Sequence, residues 1–459
     1  MLVYTVSIVT NIFVFIVATI ISRLMYKNTR LDSFIIASAM ISMPLFRVTS
    51  GFAGSIYLLD IIGLCLFAYY FIRYTANSKC KYHQLSLFII PILLVIVLPL
   101  FSTVYNNMFV HTRIDLKVIG LSVMRGISYL SVLNYFIQHN RQSDLVESYI
   151  LISIISFPIL CIVGLVGAYI GVNLNPTLNA LDYQTYISRN ELGTGFLFLY
   201  RGAVGAWGAA IISITPFVFL IKRLSAPLKT GLFIIATSSI FYGIIKSGSR
   251  QGLLIGVATF LLALLIVFIK SDMKSRMYSL SSILIVFVLL SSIIVNNKDT
   301  YDWLITRFFT SESLSQGVES RDTVKIAKEF LANPDFSIIG YGILPENSIV
   351  TGNTAFLYVD SELVWTLQKI GILGVLLYAI YLIILLLRVK NIISVNWIGY
   401  PMLCTLLAGY LLIPGHFFIL HLPPSATVIN YWYWILIGMA SSNIFALNKK
   451  IQIKSIIRV

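Results

Sequence analysis

Apolar runs of about twenty residues, each closed by a short polar or basic interval, recur along the whole chain. As a helix, such a run rises about 30 Å, the thickness of the hydrocarbon core of a bilayer. This ruler predicts thirteen helices, near residues 2–25, 33–46, 54–74, 85–105, 118–138, 148–170, 203–221, 228–245, 251–269, 278–296, 362–387, 396–415 and 428–446. The second is short for a straight crossing. The run Leu2–Met25 has neither a basic start nor a small-residue cleavage site, so it is expected to stay as the first span. Two intervals are long, 171–200 and 297–360. With Glu362, the second holds ten of the eighteen acids. Within it, "SRDTVKIAKEFLANPDF" sets Val324, Ala327 and Phe330/Leu331 on one helical face. This predicts an amphipathic helix on the membrane surface, ended by Asn333–Pro334.

Composition agrees with the periodicity. The 459 residues are 58% hydrophobic and 11% charged, with a mean hydropathy of +0.89. Soluble domains carry about a quarter charged residues. The fold class expected is therefore an all-α polytopic membrane protein of about 12–13 transmembrane helices, residues 1–459 forming a single integral membrane domain. The four cysteines are scattered, with no disulfide framework and no metal-ligand spacing.

The net charge of +15 would fit nucleic acid, but the distribution of the cations excludes that reading. Alternate loops hold 18 of the 33 cations, among them Lys27, Arg30, Arg73, Lys222, Arg223, Lys229, Lys270, Lys274, Arg276, Arg388 and the tail from Lys449 to Arg458. The positive-inside rule places these loops in the cytoplasm, with the N-terminus outside and the C-terminus inside. Both long polar intervals then lie outside, and every odd-numbered helix begins at the outer face.

Some cations defy that rule. Lys246 and Arg250 in "KSGSRQGLLIG" emerge outside, as do Arg47, Arg113, Lys117 and Arg201. A helix start offers unpaired N–H groups and a positive dipole end, and an arginine beside it makes an anion site for which phosphate is the usual guest. Four such clusters on the disfavoured side point to a shared anionic ligand, such as a lipid phosphate or diphosphate. The alternative for any one of them is snorkelling to lipid headgroups. Ser247, Gly248 and Ser249 also suit a tight turn and an N-cap.

Two charges lie deeper, Asp60 in "YLLDIIG" and Arg125 in "SVMRGIS", about 10 Å below the outer helix ends. Intramembrane charges are costly and usually paired or functional. Pairing with each other is the expectation, chiefly for structure. His416 in "PGHFFILHLPP" is a further candidate, as a base or a phosphate contact. The run Tyr431–Trp434 reads mostly as an interfacial aromatic belt.

Three stretches resemble one family. "SGSRQGLLIG", "SRDTVKIAKEFLANPDFSIIGYG" and "VDSELVWTLQKIGILGVLLY" resemble, in order and placement, motifs of the O-antigen polymerase and O-antigen ligase superfamily. The resemblance implies a glycosyltransferase-C-like enzyme of the bacterial inner membrane, with 297–360 as a large helical periplasmic loop and 171–200 as a second. Such enzymes transfer glycan from undecaprenyl diphosphate at the periplasmic face, without metal or other cofactor. The implied partners are lipid-linked glycan as donor and acceptor, membrane lipids and a chain-length regulator. Ligases of this family carry a His-Asn pair where this chain has Asp360 and Ser361, so the likeness is closer to the polymerase.

On this reading Arg250, with Arg47, Arg201, Lys246 and Arg321, holds the diphosphate and stabilises its departing charge. Asp360 is the candidate base, with Glu362 as substitute. Capping of a helix start is the competing role for Asp360-Ser361-Glu362, and metal binding is a weaker one. A ligase acting on lipid A core and a flippase of lipid-linked oligosaccharide are the rival functions. The flippase reading is disfavoured because few ionisable groups lie toward the cytoplasmic half.

Overall fold

Among the described residues helices form where the apolar runs fall, and their packing directions show how the runs are ordered. The structure is a computed structural model. It describes residues 30–40, 44–47, 55–76, 85–109, 115–138, 142–169, 201–296 except 248, 323–344, 348–351, 354–356, 361–412 except 395, and 428–442, with isolated positions in 9–20 and 301–305. Two compact units divide the chain. The first comprises Met1–Met43, Ser143–Arg321 and Trp397–Leu412; the second comprises Pro44–Gln142, Asp322–Asn396 and Ile413–Val459.

In the first unit, α1 is Arg30–Met40. The second expected helix, 33–46, therefore stops early, because Pro44 cannot donate to a helical ladder and Pro44–Arg47 is instead strand β1 of the second unit. Also in the first unit are α6 (Gln142–Tyr169), α7 (Arg201–Ile212), α8 (Ala226–Lys246), α9 (Arg250–Lys270), α10 (Met273–Asn296) and α13 (Gly399–Leu412). Helix α7 is continued by a 3-10 segment, Thr215–Leu220, with Pro216 in its first turn. The expected single helix 203–221 is thus two pieces.

The second unit contains β1, its antiparallel partner β2 (Ser55–Tyr57) and α2 (Leu58–Ala76). Next come α3 (Leu85–Ile92), a π-helical turn Leu93–Val97 and α4 (Leu98–Phe109), with Pro91 just before the π turn. Then follow α5 (Leu116–Gln138), α11 (Thr323–Leu331), the hairpin β3 (Ser348–Thr351) and β4 (Thr354–Phe356), α12 (Glu362–Ile393) and α14 (Val428–Ser441). The two short hairpins are departures from the all-helical expectation.

Among the described residues, six helices are long and apolar enough to cross a membrane: Ile89–Phe109, Leu116–Gln138, Ala226–Ile245, Arg250–Lys270, Met273–Ser292 and Glu362–Ile393. Shorter apolar helices cover Leu31–Met40, Val204–Leu220 and Gly399–Leu412. This is a mostly helical chain whose spans fit a multi-pass membrane protein.

Helix directions within each unit agree with the expected alternation. In the first unit Gly252 meets Gly205 and Gly256 meets Ala209, so α7 and α9 run parallel. Gln251 at the start of α9 donates to the Leu411 carbonyl at the end of α13 (3.2 Å), so those two are antiparallel. In the second unit Gly63 packs on Ser128, three residues beyond the Asp60–Arg125 contact on both helices, making α2 and α5 parallel. Tyr431 with Tyr129, and Gly438 with Leu133 and Phe136, make α14 parallel to α5. The glycines allow close backbone approach, which supplies dispersion contact where no hydrophobic effect acts between helices.

Cations from the basic loops cap helix C-termini. Lys229 donates to the Phe219 carbonyl (3.0 Å), Arg276 to that of Ser271 (3.1 Å) and Arg388 to that of Ser441 (3.4 Å). Each meets carbonyls left unpaired at a helix end and the negative end of its dipole.

Candidate functional site

The segment "KSGSRQG" is built as a helix exchange in the first unit. Ser247 closes α8, its hydroxyl donating to the Ile244 carbonyl at 2.7 Å. Two residues later Ser249 is the N-cap of α9, its Oγ accepting from the Gly252 N–H at 3.1 Å. Ser249 N–H in turn donates to Ser247 Oγ at 3.4 Å. Arg250 is the first residue of α9 and is partly exposed.

This turn is pressed against the start of α7. A methyl group on Gly205 would collide with Ser249, and one on Gly252 would stand 2.6 Å from the Gly205 carbonyl carbon. Helix α7 is described from Arg201, one turn before Gly205. The N-terminal ends of two parallel helices thus lie side by side, with their positive dipole ends toward the same end of the unit, and α9 begins there at Arg250. Lys246 is the last residue of α8. The arrangement is chemically suited to an anion.

A second polar group forms around the break in α12. Gly371 has φ 65° and ψ −169°, a backbone that only glycine adopts without strain. The groups freed there bond to the chain just before Ile343. Tyr341 N–H donates to the Gln368 carbonyl (2.6 Å), Gly342 N–H to that of Lys369 (2.9 Å), and Leu373 N–H to that of Ile338 (3.2 Å). Helix α4 secures the same strap. Asn106 Nδ2 donates to the Gly340 carbonyl (2.7 Å), Ser102 Oγ to that of Ile339, and Ile343 N–H to Thr103 Oγ1 (2.8 Å). Gly340 (φ 80°) and Gly342 (φ 84°) let the strap lie flat on Lys369 and Thr103.

The turns of α12 before the break are polar and buried: Glu362, Thr366, Gln368 and Lys369 are each at most 3% exposed. The Lys369 ammonium lies 4.8 Å from the centre of the Trp365 ring. From Ile372 to Ile393 the helix rises about 33 Å, sufficient to span by itself. The polar turns therefore belong to a small folded cap whose core is Phe330, Phe336, Tyr341, Leu344, Val364, Trp365 and Leu367. Ile326, Ala327 and Phe330 of α11 pack onto that core. The amphipathic helix expected to lie on the membrane surface thus turns its apolar face to protein, leaving Leu331 46% exposed. Burial pushes the Tyr341 phenol up to about 12, and the Glu329 carboxylate adds to the shift.

Asp60 and Arg125 come together, as expected from their cost in a membrane. Arg125 Nε stands 3.5 Å from Asp60 Oδ2, both side chains fully buried. Their depth differs from the estimate. Asp60 is in the first turn of α2 and accepts from the Tyr57 N–H at 2.9 Å, as in a capping box. Arg125 is about 13 Å into α5. Tyr431 donates to Asp60 Oδ1, the Arg125 guanidinium lies over the Tyr57 ring at 5.2 Å, and Tyr129 stacks on Trp434. Tyr431 through Trp434 are at most 1% exposed, so the run expected at the interface is interior.

The other sequence candidates fall as follows. Arg47 is on β1, opposite Ser55, rather than in a loop. Glu362 opens α12, and its N-cap is Ser361, whose Oγ accepts from the Val364 N–H at 3.5 Å. Asp360, Arg321 and His416 lie outside the described residues. Sequence reasoning missed Thr366, Gln368 and Lys369, although three polar residues so close to an apolar span were visible. It also missed Tyr57 as a partner of Asp60, which no spacing could have shown.

Comparison with protein-family models, with curated proteins and with solved structures finds no match.

Proposed function

We propose that this chain is a membrane glycosyltransferase that polymerises undecaprenyl-diphosphate-linked repeat units at the periplasmic face of the bacterial inner membrane. The observation that carries this reading is the start of α9 at Arg250, capped by Ser249 and pressed through Gly252 against Gly205 near the N-terminal end of the parallel helix α7. A lipid diphosphate is the anion that fits a helix-start site in a polytopic membrane chain, and the three motif stretches support the glycan part.

In the reaction an acceptor hydroxyl oxygen bonds to the anomeric carbon of the donor sugar as the bond from that carbon to the diphosphate oxygen breaks. The diphosphate leaves with the electron pair, and Arg250, aided by the α9 dipole, stabilises its charge. The hydroxyl proton passes to a carboxylate, for which Asp360 is the candidate. A single displacement inverts the anomeric centre.

The test is a surface-glycan gel from cells lacking this protein, rescued by wild type, Arg250→Ala or Asp360→Asn. A ladder restored by wild type from cores bearing one repeat unit is the expected result, with Arg250→Ala inserted but unable to restore it. Bare cores in the deletion strain would overturn polymerisation. A normal ladder with Asp360→Asn would place the base elsewhere.

A further inference from the structure

One end of the first unit gathers the cations that flank three of its helices. The turn Ile221–Ser225 carries Lys222 and Arg223, α8 begins nearby with Lys229, and the α9–α10 junction carries Lys270, Lys274 and Arg276. Two of the six meet described carboxylates, Arg223 at Asp144 and Lys229 at Asp272 and Glu147. Protein groups occupy half of the cations. Arg223 pairs with Asp144 at 2.9 Å, Lys229 donates to the Phe219 carbonyl while feeling Asp272 and Glu147, and Arg276 donates to Ser271.

The remaining three are of another kind. Lys222, Lys270 and Lys274 are exposed, and none makes an ion pair among the described residues. Lys270 lies over the Tyr400 ring at 5.4 Å, which fixes its ammonium at the rim of α13. Beside them stand exposed apolar side chains: Ile269 (61%), Met273 (68%), Met277 (54%) and Leu228 (50%). Exposed ammonium groups at one end of a helical unit, beside exposed apolar side chains, match one chemistry, a phosphate headgroup carried on acyl chains.

We propose that this rim binds anionic phospholipid, with Lys222, Lys270 and Lys274 on the headgroup phosphate and the α9–α10 methionines against the chains. A basic cluster at the end of membrane helices attracts anionic lipid, and each lysine contributes about fivefold in relative affinity. The contact is electrostatic, so salt weakens it.

The test is native mass spectrometry of the full-length protein released from micelles holding equal phosphatidylglycerol and phosphatidylcholine. Wild type is expected to retain phosphatidylglycerol in preference, and the preference should fall on raising salt before release. Lys222→Gln/Lys270→Gln/Lys274→Gln should lower it by more than roughly tenfold. Lys325→Gln, an exposed lysine of α11 in the other unit, should leave it unchanged. Equal retention of both lipids by wild type would overturn the proposal, as would an undiminished preference in the triple variant or an equal fall with Lys325→Gln. If the triple variant does not fold, the three single variants are measured, and a full preference in all of them overturns it equally.

Discussion

Replacing Arg125 by leucine removes the cation from a carboxylate that three helices enclose. Asp60 and Arg125 are both fully buried and 3.5 Å apart. At that distance and an effective dielectric of about 20, their attraction is on the order of 5 kcal/mol, set against a desolvation cost of several kcal/mol for each ion. The pair is therefore near balance, whereas an unpaired carboxylate keeps only its cost. Breaking a buried pair from one side costs about 3–5 kcal/mol. Asp60 keeps donors in the Tyr57 N–H and the Tyr431 hydroxyl, so the expected loss for Arg125→Leu is at the lower end, about 3 kcal/mol. Asp60→Asn/Arg125→Leu removes both charges and should cost less than Arg125→Leu alone. Denaturant unfolding of the purified protein in mixed micelles, followed by ellipticity, measures both. A loss below about 1 kcal/mol for Arg125→Leu would refute the argument. So would a double variant whose loss equals the sum of the single ones, because coupled partners are not additive.

Two further predictions concern the cap on α12. Gly371→Ala places a side chain where the backbone is tolerable only to glycine, a strain on the order of 1–3 kcal/mol, and its methyl group would collide with the Ile338 carbonyl. The strap should detach, and limited proteolysis should cut between Ile338 and Ile343 faster than in wild type; an unchanged rate would contradict the assigned hydrogen bonds. Tyr341 keeps its proton up to about 12 in the folded chain, against 10.0 for an unperturbed phenol. A folded value above the unfolded one gives a stability contribution complete below pH 10 and lost as pH rises toward 12. The unfolding midpoint of wild type should therefore drop over that interval more than that of Tyr341→Phe, and parallel curves would refute the shift.

Much of this was legible in the chain because membrane helices are specified locally. A run such as "LLIGVATFLLALLIVFIK" must pair its own backbone groups in lipid, so its length and composition alone define a span. The Ser249 cap was legible for the same reason, since its hydroxyl bonds three residues ahead. The short second helix and the broken 203–221 run were misjudged where prolines, Pro44 and Pro216, redirect the backbone inside apolar sequence.

By itself, then, the sequence determined that the chain is mostly helical with several helices able to span, six of the expected thirteen among the described residues, the relative directions of those that pack together, and the need to neutralise Asp60 and Arg125. Only tertiary structure decided that Tyr431 completes that pair, that Gly205 lets α7 press against the capped start of α9, and that the apolar face of α11 covers α12 rather than lipid. Helix formation is settled by hydrogen bonds four residues apart. These contacts join groups up to 371 residues apart, and whether an apolar side chain meets lipid or protein leaves no mark on its own local pattern.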